Sequence, residues 1–243
     1  EMIHFFKTKK LSQNTIKGIV EKIKSQLRKA GNYGYPVNSS YDEVFVKSAD
    51  STSVSLSMNE ITRIYYYKDL TRKQKMIRDL FIVGCMTGLR YSDYSTLTID
   101  NFQNKVIVKS TQKTGATVYI PMHPYVQEIY TRYRGQIPTG YTVSYFDRAI
   151  KQICQKIGIN QSIPVVKIQG FETITTVKQK WELISSHTAR RSFCSNALAA
   201  GDLSTSQIMM MSGHKSESCF FRYIKTDKIA NAHRVSASKM FQI

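Results

Sequence analysis

Apolar residues at Ile16, Ile19, Val20, Ile23 and Leu27 recur at helical spacing, bracketed by Ser12 and Gly31. The pattern predicts an amphipathic helix over 12–31, capped by the serine and stopped by the glycine. Residues 31–56 interrupt it with Gly, Pro, Asn and Ser, the composition of a linker carrying a short strand. Ser57-Met58-Asn59-Glu60 has the form of a capping box and opens a helix toward Lys68. A long buried helix follows over 71–87, with Ile77, Leu80, Phe81 and Gly84 inward and Gly88 as its stop. Residues 106–110 and 117–122 alternate as two strands around a turn at 111–115. Pro124 starts a helix that Gly135 ends, and residues 142–157 form another, closed by Gly158. A second hairpin is expected from 165–168 and 173–183, and then helices over 187–200, 205–211, 216–225 and 228–241. The expected fold is mainly α with small antiparallel β-hairpins, an α+β class. A boundary near residue 52 separates 1–52, the end of a helical domain with its linker, from a domain over 53–243. The first segment is short for a domain, and the chain opens at Glu1-Met2, so more of that domain is expected upstream.

Charge narrows the partners. Of 243 residues, 35 are Lys or Arg against 17 Asp or Glu, a formal net charge of +18. Such an excess repels itself in the folded state and calls for a polyanion, with nucleic acid ahead of a membrane surface. The longest apolar run, Leu80–Leu89, is too short to span a bilayer. Lys17, Lys22, Lys24, Arg28 and Lys29 line the polar side of the first helix, either as a solvated face or as one lying on a phosphate backbone. The four cysteines lack paired ligand spacing, and Cys85 and Cys194 fall in apolar helical stretches, as core thiols would. No carboxylate cluster suited to Mg²⁺ is visible, so no metal or other cofactor is expected.

Several polar residues sit where packing alone does not call for them. Arg90 follows the glycine that ends an apolar helix and can either pair with Asp93 or turn into a cleft. Lys113 stands at a hairpin tip, an ordinary place for a soluble lysine. His187 and Arg190, three apart at a helix start, share a face where an anion is the natural ligand. His214 follows Ser212-Gly213 at a helix end, where it can serve as a cap, and Tyr223 is one of 15 tyrosines. Together they offer proton donors to oxygen, two guanidiniums that grip phosphate, and a hydroxyl that can become a nucleophile. Such a set can stabilise phosphoryl transfer with fixed cationic side chains.

Taken in order, Thr87-Gly88-Leu89-Arg90, Lys113, His187-Thr188-Ala189-Arg190, Ser212-Gly213-His214 and Arg222-Tyr223 resemble the signature of the tyrosine recombinases, the phage-type integrases. The wording around them is similar to integrases of Bacteroidetes conjugative transposons and related mobile elements. The spacing agrees too, with Lys113 23 residues after Arg90 and Tyr223 nine after His214. The resemblance covers 53–243 as a catalytic domain, and 1–52 resemble the end of a core-binding domain. It implies site-specific integration or excision of a mobile element without metal. Tyr223 is the implied nucleophile on double-stranded DNA, forming a 3′-phosphotyrosyl intermediate. Arg90, Arg190 and His214 are implied phosphate ligands, Lys113 the general acid, His187 an assisting acid or base, and Asp93 an orienting residue for Arg90. It further implies a free monomer that forms a homo-tetramer on paired sites by exchanging its C-terminal helix, with host or element-encoded accessory proteins, at the nucleoid in bacterial cytoplasm. A type IB topoisomerase and a non-catalytic DNA-binding regulator are the alternatives.

Overall fold

The computed structural model of the chain describes residues 1–224 and Ser236, so the helix expected over 228–241 lies outside the described residues. The chain divides into two compact units, one of residues 1–52 with 162–178, the other of residues 53–161 with 179–243.

In the first unit a short helix, α1 (Met2–Thr8), precedes the expected amphipathic one, α2 (Gln13–Asn32). The Ser12 hydroxyl caps α2 by accepting from the Thr15 N–H at 3.2 Å. Ile16 and Val20 from its apolar stripe form a small core with Val46, flanked by Ile3, Phe6, Leu11 and Val44. The strand expected within 31–56 is not there; the segment holds a 3₁₀ turn, Ser39–Glu43, and then runs extended without a ladder. Side chains of α2 take the place of a partner strand. Asn14 exchanges two 2.9 Å hydrogen bonds with the backbone of Ala49, and Gln13 donates to the Lys47 carbonyl at 2.9 Å. The same segment engages part of the basic face: Lys17 donates to Ser48, Lys24 to the Asp42 carbonyl, and Arg28 pairs with Asp42. Lys22 and Lys29 remain exposed.

The hairpin of β4 (Ser162–Gln169) and β5 (Glu172–Gln179) belongs to this unit although 109 residues of sequence, 53–161, separate it from residue 52. The Gly170 N–H donates to the Leu11 carbonyl at 3.0 Å, Ser12 bridges to Gln169, and the Phe171 ring lies 5.4 Å from that of His4. The hairpin ends at Gln179, short of the expected 183. Residues 180–183 close into a 3₁₀ turn because the N–H groups of Lys180 and Trp181 donate back to Gln161 and Ile159.

The second unit is built around α4 (Arg72–Thr87), in which every residue from Ile77 to Thr87 is buried. A helix covered on all sides must be central. It packs against α3 (Met58–Tyr66), α6 (Pro124–Arg132), α7 (Val143–Ile157) and α8 (Ser186–Ala200). The capping box forms as expected at the start of α3, with Glu60 and Ser57 bonding each other's backbone. Burial of Asp79 on α4 is compensated by Arg78 at 2.6 Å, Arg132 at 2.9 Å and the Tyr133 hydroxyl at 2.8 Å. Strands β2 (Val106–Ser110) and β3 (Thr117–Pro121) pair with Ile107 opposite Ile120, both buried, and a two-residue β1 (Phe102–Gln103) extends them to a three-stranded antiparallel sheet. Short helices α5 (Tyr91–Tyr94), α9 (Thr205–Ser212) and α10 (Glu217–Phe221) complete the unit. Helix α10 is shorter than the expected 216–225. Cys85, Cys154 and Cys194 are buried free thiols, the first and third as expected. No helix among the described residues is long and apolar enough to cross a membrane.

Candidate active site

The site gathers where α4, α8 and α9 end or begin. At the C-terminus of α4, Gly88 adopts a left-handed φ of +67° and turns the chain outward. Only a residue without a side chain fits, since a Cβ there lies 2.3 Å from Cδ1 of Phe193. Two residues on, Arg90 is half-buried at the start of α5, and its Nη1 is buried without a hydrogen-bond partner.

The start of α8 carries His187 on its exposed side, while Arg190, one turn later, points inward and is 1 % exposed. The Ser186 N–H at the head of this helix donates to Asp147 of α7 at 2.6 Å, so a carboxylate occupies part of the helix N-terminus. Partial burial lowers the pKa of the His187 imidazole, and the cations Arg191, Arg190 and Arg90 push in the same direction against the pull of Asp147.

Arg190 organises the centre. Its Nη1 donates to the Gly88 carbonyl at 2.7 Å and to the Ser212 carbonyl, which ties the end of α4 to the end of α9. Its Nη2 is 2.8 Å from His214 Nε2, its Nε is buried without a partner, and its guanidinium carbon lies 5.2 Å from the Tyr223 ring centroid. The His214 and Tyr223 rings are 4.9 Å apart. Burial, then Arg190 and Arg90, hold the His214 pKa down at about 3. The Arg190 pKa is lowered as well, by burial first and by Arg90 second. Among the described residues neither Arg90 nor Arg190 has an ion-pair partner. Two neighbouring guanidiniums left unneutralised in a partly dry site are a receptor for an anion with several oxygens.

Arg90, Arg190, His214 and Tyr223 are thus together, with His187 within electrostatic reach. Lys113 is not brought in: it is exposed at the tip of the β2–β3 hairpin, and its ammonium makes no hydrogen bond or ion pair among the described residues. The hairpin is nonetheless held to the site close to its turn, where α9 packs on β3 and a Cβ at Gly213 would press on Val118 and Thr111. The expected pairing of Asp93 with Arg90 does not form. Asp93 is fully buried and its Oδ1 accepts from the Gln112 N–H at 2.8 Å, so the carboxylate braces the residue before Lys113.

Three participants were not singled out from the sequence. Asp147 has no sequence signal, being 39 residues from the Ser186 it caps. Arg191 is half-buried and within electrostatic reach of Tyr223, although it reads as the second member of an Arg pair. Ser212 lies inside the Ser-Gly-His stretch, and its Oγ is 2.8 Å from His214 Nδ1.

Fold and site define a protein that handles an anion between arginines beside a tyrosine. Residues 55–229 match the phage integrase family. The chain belongs to that family, and is a tyrosine recombinase, an enzyme of site-specific recombination. Its fold is similar to a Tn1549 transposon integrase in complex with a circular intermediate DNA, with TM-score 0.69 at 15 % identity over 97 % of this chain and 83 % of that one. A lambda integrase dimer bound to a core site gives TM-score 0.66 at 15 % identity, over 89 % and 76 % of the two chains. XerA recombinase gives 0.57 at 16 % identity, over 94 % and 77 %. No curated protein matches the sequence.

Proposed function

We propose that this recombinase cuts and rejoins double-stranded DNA through Tyr223, in the integration or excision of a mobile element. The observation that carries the reading is the pair Arg90 and Arg190, unneutralised, with the Tyr223 ring against the second. A scissile phosphate takes its place between the two guanidiniums, which hold its non-bridging oxygens as charge builds on them. The Tyr223 oxygen attacks phosphorus and gives its proton to His187, whose lowered pKa keeps it a free base at neutral pH. The bond from phosphorus to the 5′-oxygen breaks, and Lys113, carried inward on its hairpin, protonates the departing oxygen. The 3′-phosphotyrosine conserves the phosphodiester bond, so attack by another strand's 5′-hydroxyl rejoins DNA and frees the tyrosine. His214 supplies a further hydrogen bond to the phosphate. Every group that acts on the phosphate here is a side chain of the protein.

The net charge supports a DNA partner, bound mainly through its phosphates. We propose further that the free chain is a monomer and that four assemble on paired sites, in the bacterial cytoplasm at the nucleoid, with host or element-encoded accessory proteins. In that assembly residues 227–243, whose apolar positions Ile229, Ala232, Val235, Met240 and Phe241 fit one helix face, dock on a neighbouring protomer. The experiment is a covalent trap: nicked duplexes carrying candidate element ends are incubated with the protein and resolved in SDS. An adduct that requires Tyr223 supports the reading. Cleavage without an adduct, or an adduct that survives Tyr223→Phe, overturns it.

A further inference from the structure

His214 is presented in the wrong hydrogen-bonding form for its proposed task. A guanidinium has only donors, so the 2.8 Å contact between Arg190 Nη2 and His214 Nε2 requires a bare lone pair on Nε2. In a neutral imidazole the proton is then on Nδ1, which is 2.8 Å from the Ser212 hydroxyl oxygen. That hydroxyl in turn sits 2.7 Å from the Ile208 carbonyl, to which it donates. The four groups form one directed chain, each donating to the next from Arg190 through His214 and Ser212 to Ile208. In this state Nε2 has no proton to offer a phosphate, and one of the two Arg190 Nη2 hydrogens is committed to the ring.

Two changes could make Nε2 a donor. One is protonation to the imidazolium, which the burial of the ring and the adjacent Arg190 and Arg90 oppose. The other is exchange of the tautomer, and here the chemistry of residue 212 matters. A serine hydroxyl both gives and takes a hydrogen bond and can rotate between partners. Turned from Ile208 toward Nδ1, it donates to that nitrogen, the ring proton moves to Nε2 through solvent, and Arg190 Nη2 is released. An anion entering beside Arg90 and Arg190 then meets two donors where the free site has one donor closed on one acceptor.

We propose that Arg190 sets His214 as the Nδ1–H tautomer in the free enzyme, and that Ser212 is a positioning residue that accepts from this tautomer and, by rotating its hydroxyl, admits the Nε2–H tautomer when a phosphate is bound. The Ser212 hydroxyl is fully buried, on the far side of the ring from Arg190, and reaches the phosphate site through His214, while the Ser212 carbonyl separately accepts from Arg190 and is kept in any side-chain variant. The inference rests on the reading of His214 as a phosphate ligand, yet its first half concerns the free protein alone.

The test is nitrogen NMR of the histidine rings in the free, full-length chain at neutral pH, with His214 assigned by His214→Gln. A single Nδ1–H tautomer is expected in the unmodified protein. Ser212→Ala is expected to leave that tautomer in place in the free enzyme, since Arg190 still donates to Nε2, and Ser212→Thr to do the same. On the nicked trap duplex Ser212→Ala forms adduct about tenfold more slowly, the loss of roughly one buried hydrogen bond, with DNA affinity unchanged, and Ser212→Thr recovers the rate. An Nε2–H tautomer in the free enzyme overturns the proposal, as does a Ser212→Ala protein that forms adduct as fast as the unmodified one. If either variant fails to fold, the spectrum of the unmodified protein still decides the free-state assignment. Absence of any adduct from the unmodified protein instead counts against the recombinase chemistry and leaves the tautomer measurement to stand on its own.

Discussion

The guanidinium of Arg190 lies 5.2 Å from the ring centroid of Tyr223, so the proposed nucleophile packs against one of the groups proposed to receive its target. This contact involves the ring face and owes little to the hydroxyl. Tyr223→Phe therefore keeps the fold and nearly all DNA affinity while abolishing the SDS-stable adduct. Thermal melting, a binding titration and the trap assay on the same preparation check the three parts together.

Arg190 is also structural. Its removal orphans the buried carbonyls of Gly88 and Ser212, each at about 1–3 kcal/mol. Arg190→Ala should lose about 2–6 kcal/mol of stability as well as cleavage, read from urea denaturation. Full stability in this variant would show that the two carbonyls find other partners.

Gly88→Ala attacks the same tie from the other end. A left-handed backbone costs a residue with a side chain about 1–2 kcal/mol, and the new methyl must also displace the Phe193 ring. Lower stability is expected, with a further fall in cleavage because the Gly88 carbonyl that holds Arg190 shifts.

Lys113 stands apart from the other groups, and its proposed role has a chemical signature. Lys113→Ala should slow cleavage by roughly two to four orders of magnitude. A duplex with sulfur at the bridging 5′ position leaves without protonation and should recover most of that loss. Equal rescue of Arg190→Ala by sulfur would assign the proton to another residue.

Acid should destabilise the fold through His214. Its pKa is about 3 in the folded protein against an ordinary 6.5, so the unfolded chain takes up the proton first as pH falls. The stabilisation is complete above 6.5 and is lost progressively from there toward 3, and His187, also lowered, adds in the same direction. Urea midpoints should decline from neutral pH to about pH 5.5, a window above the range where ordinary carboxylates titrate, and less steeply in His214→Gln.

Helices α2, α4 and α7 were legible because each repeats an apolar face for three turns or more and carries a capping Ser or Thr. Helix α1 and strand β1, at seven and two residues, are too short to show a period. Site residues were legible as an ordered set, since each alone has an ordinary structural reading. What the order hides is who bonds whom. Asp93 is near Arg90 in sequence, but the Gln112 amide, brought over by the hairpin, takes its oxygen. Ser212 was visible as a letter beside His214, and only the side-chain geometry shows it against the ring.

The membership of the β4–β5 hairpin in the first unit also sets the order of events at the ribosome. Helices α1 and α2 emerge early, yet the hairpin that bonds Leu11 and Ser12 is not complete until residue 179 has been made. At about 5–20 residues per second, the nascent N-terminal helices wait several seconds with their hairpin-facing side uncovered. Translation speed through residues 53–161, sequence that belongs wholly to the other unit, thereby governs how long the first unit stays open to the wrong partner.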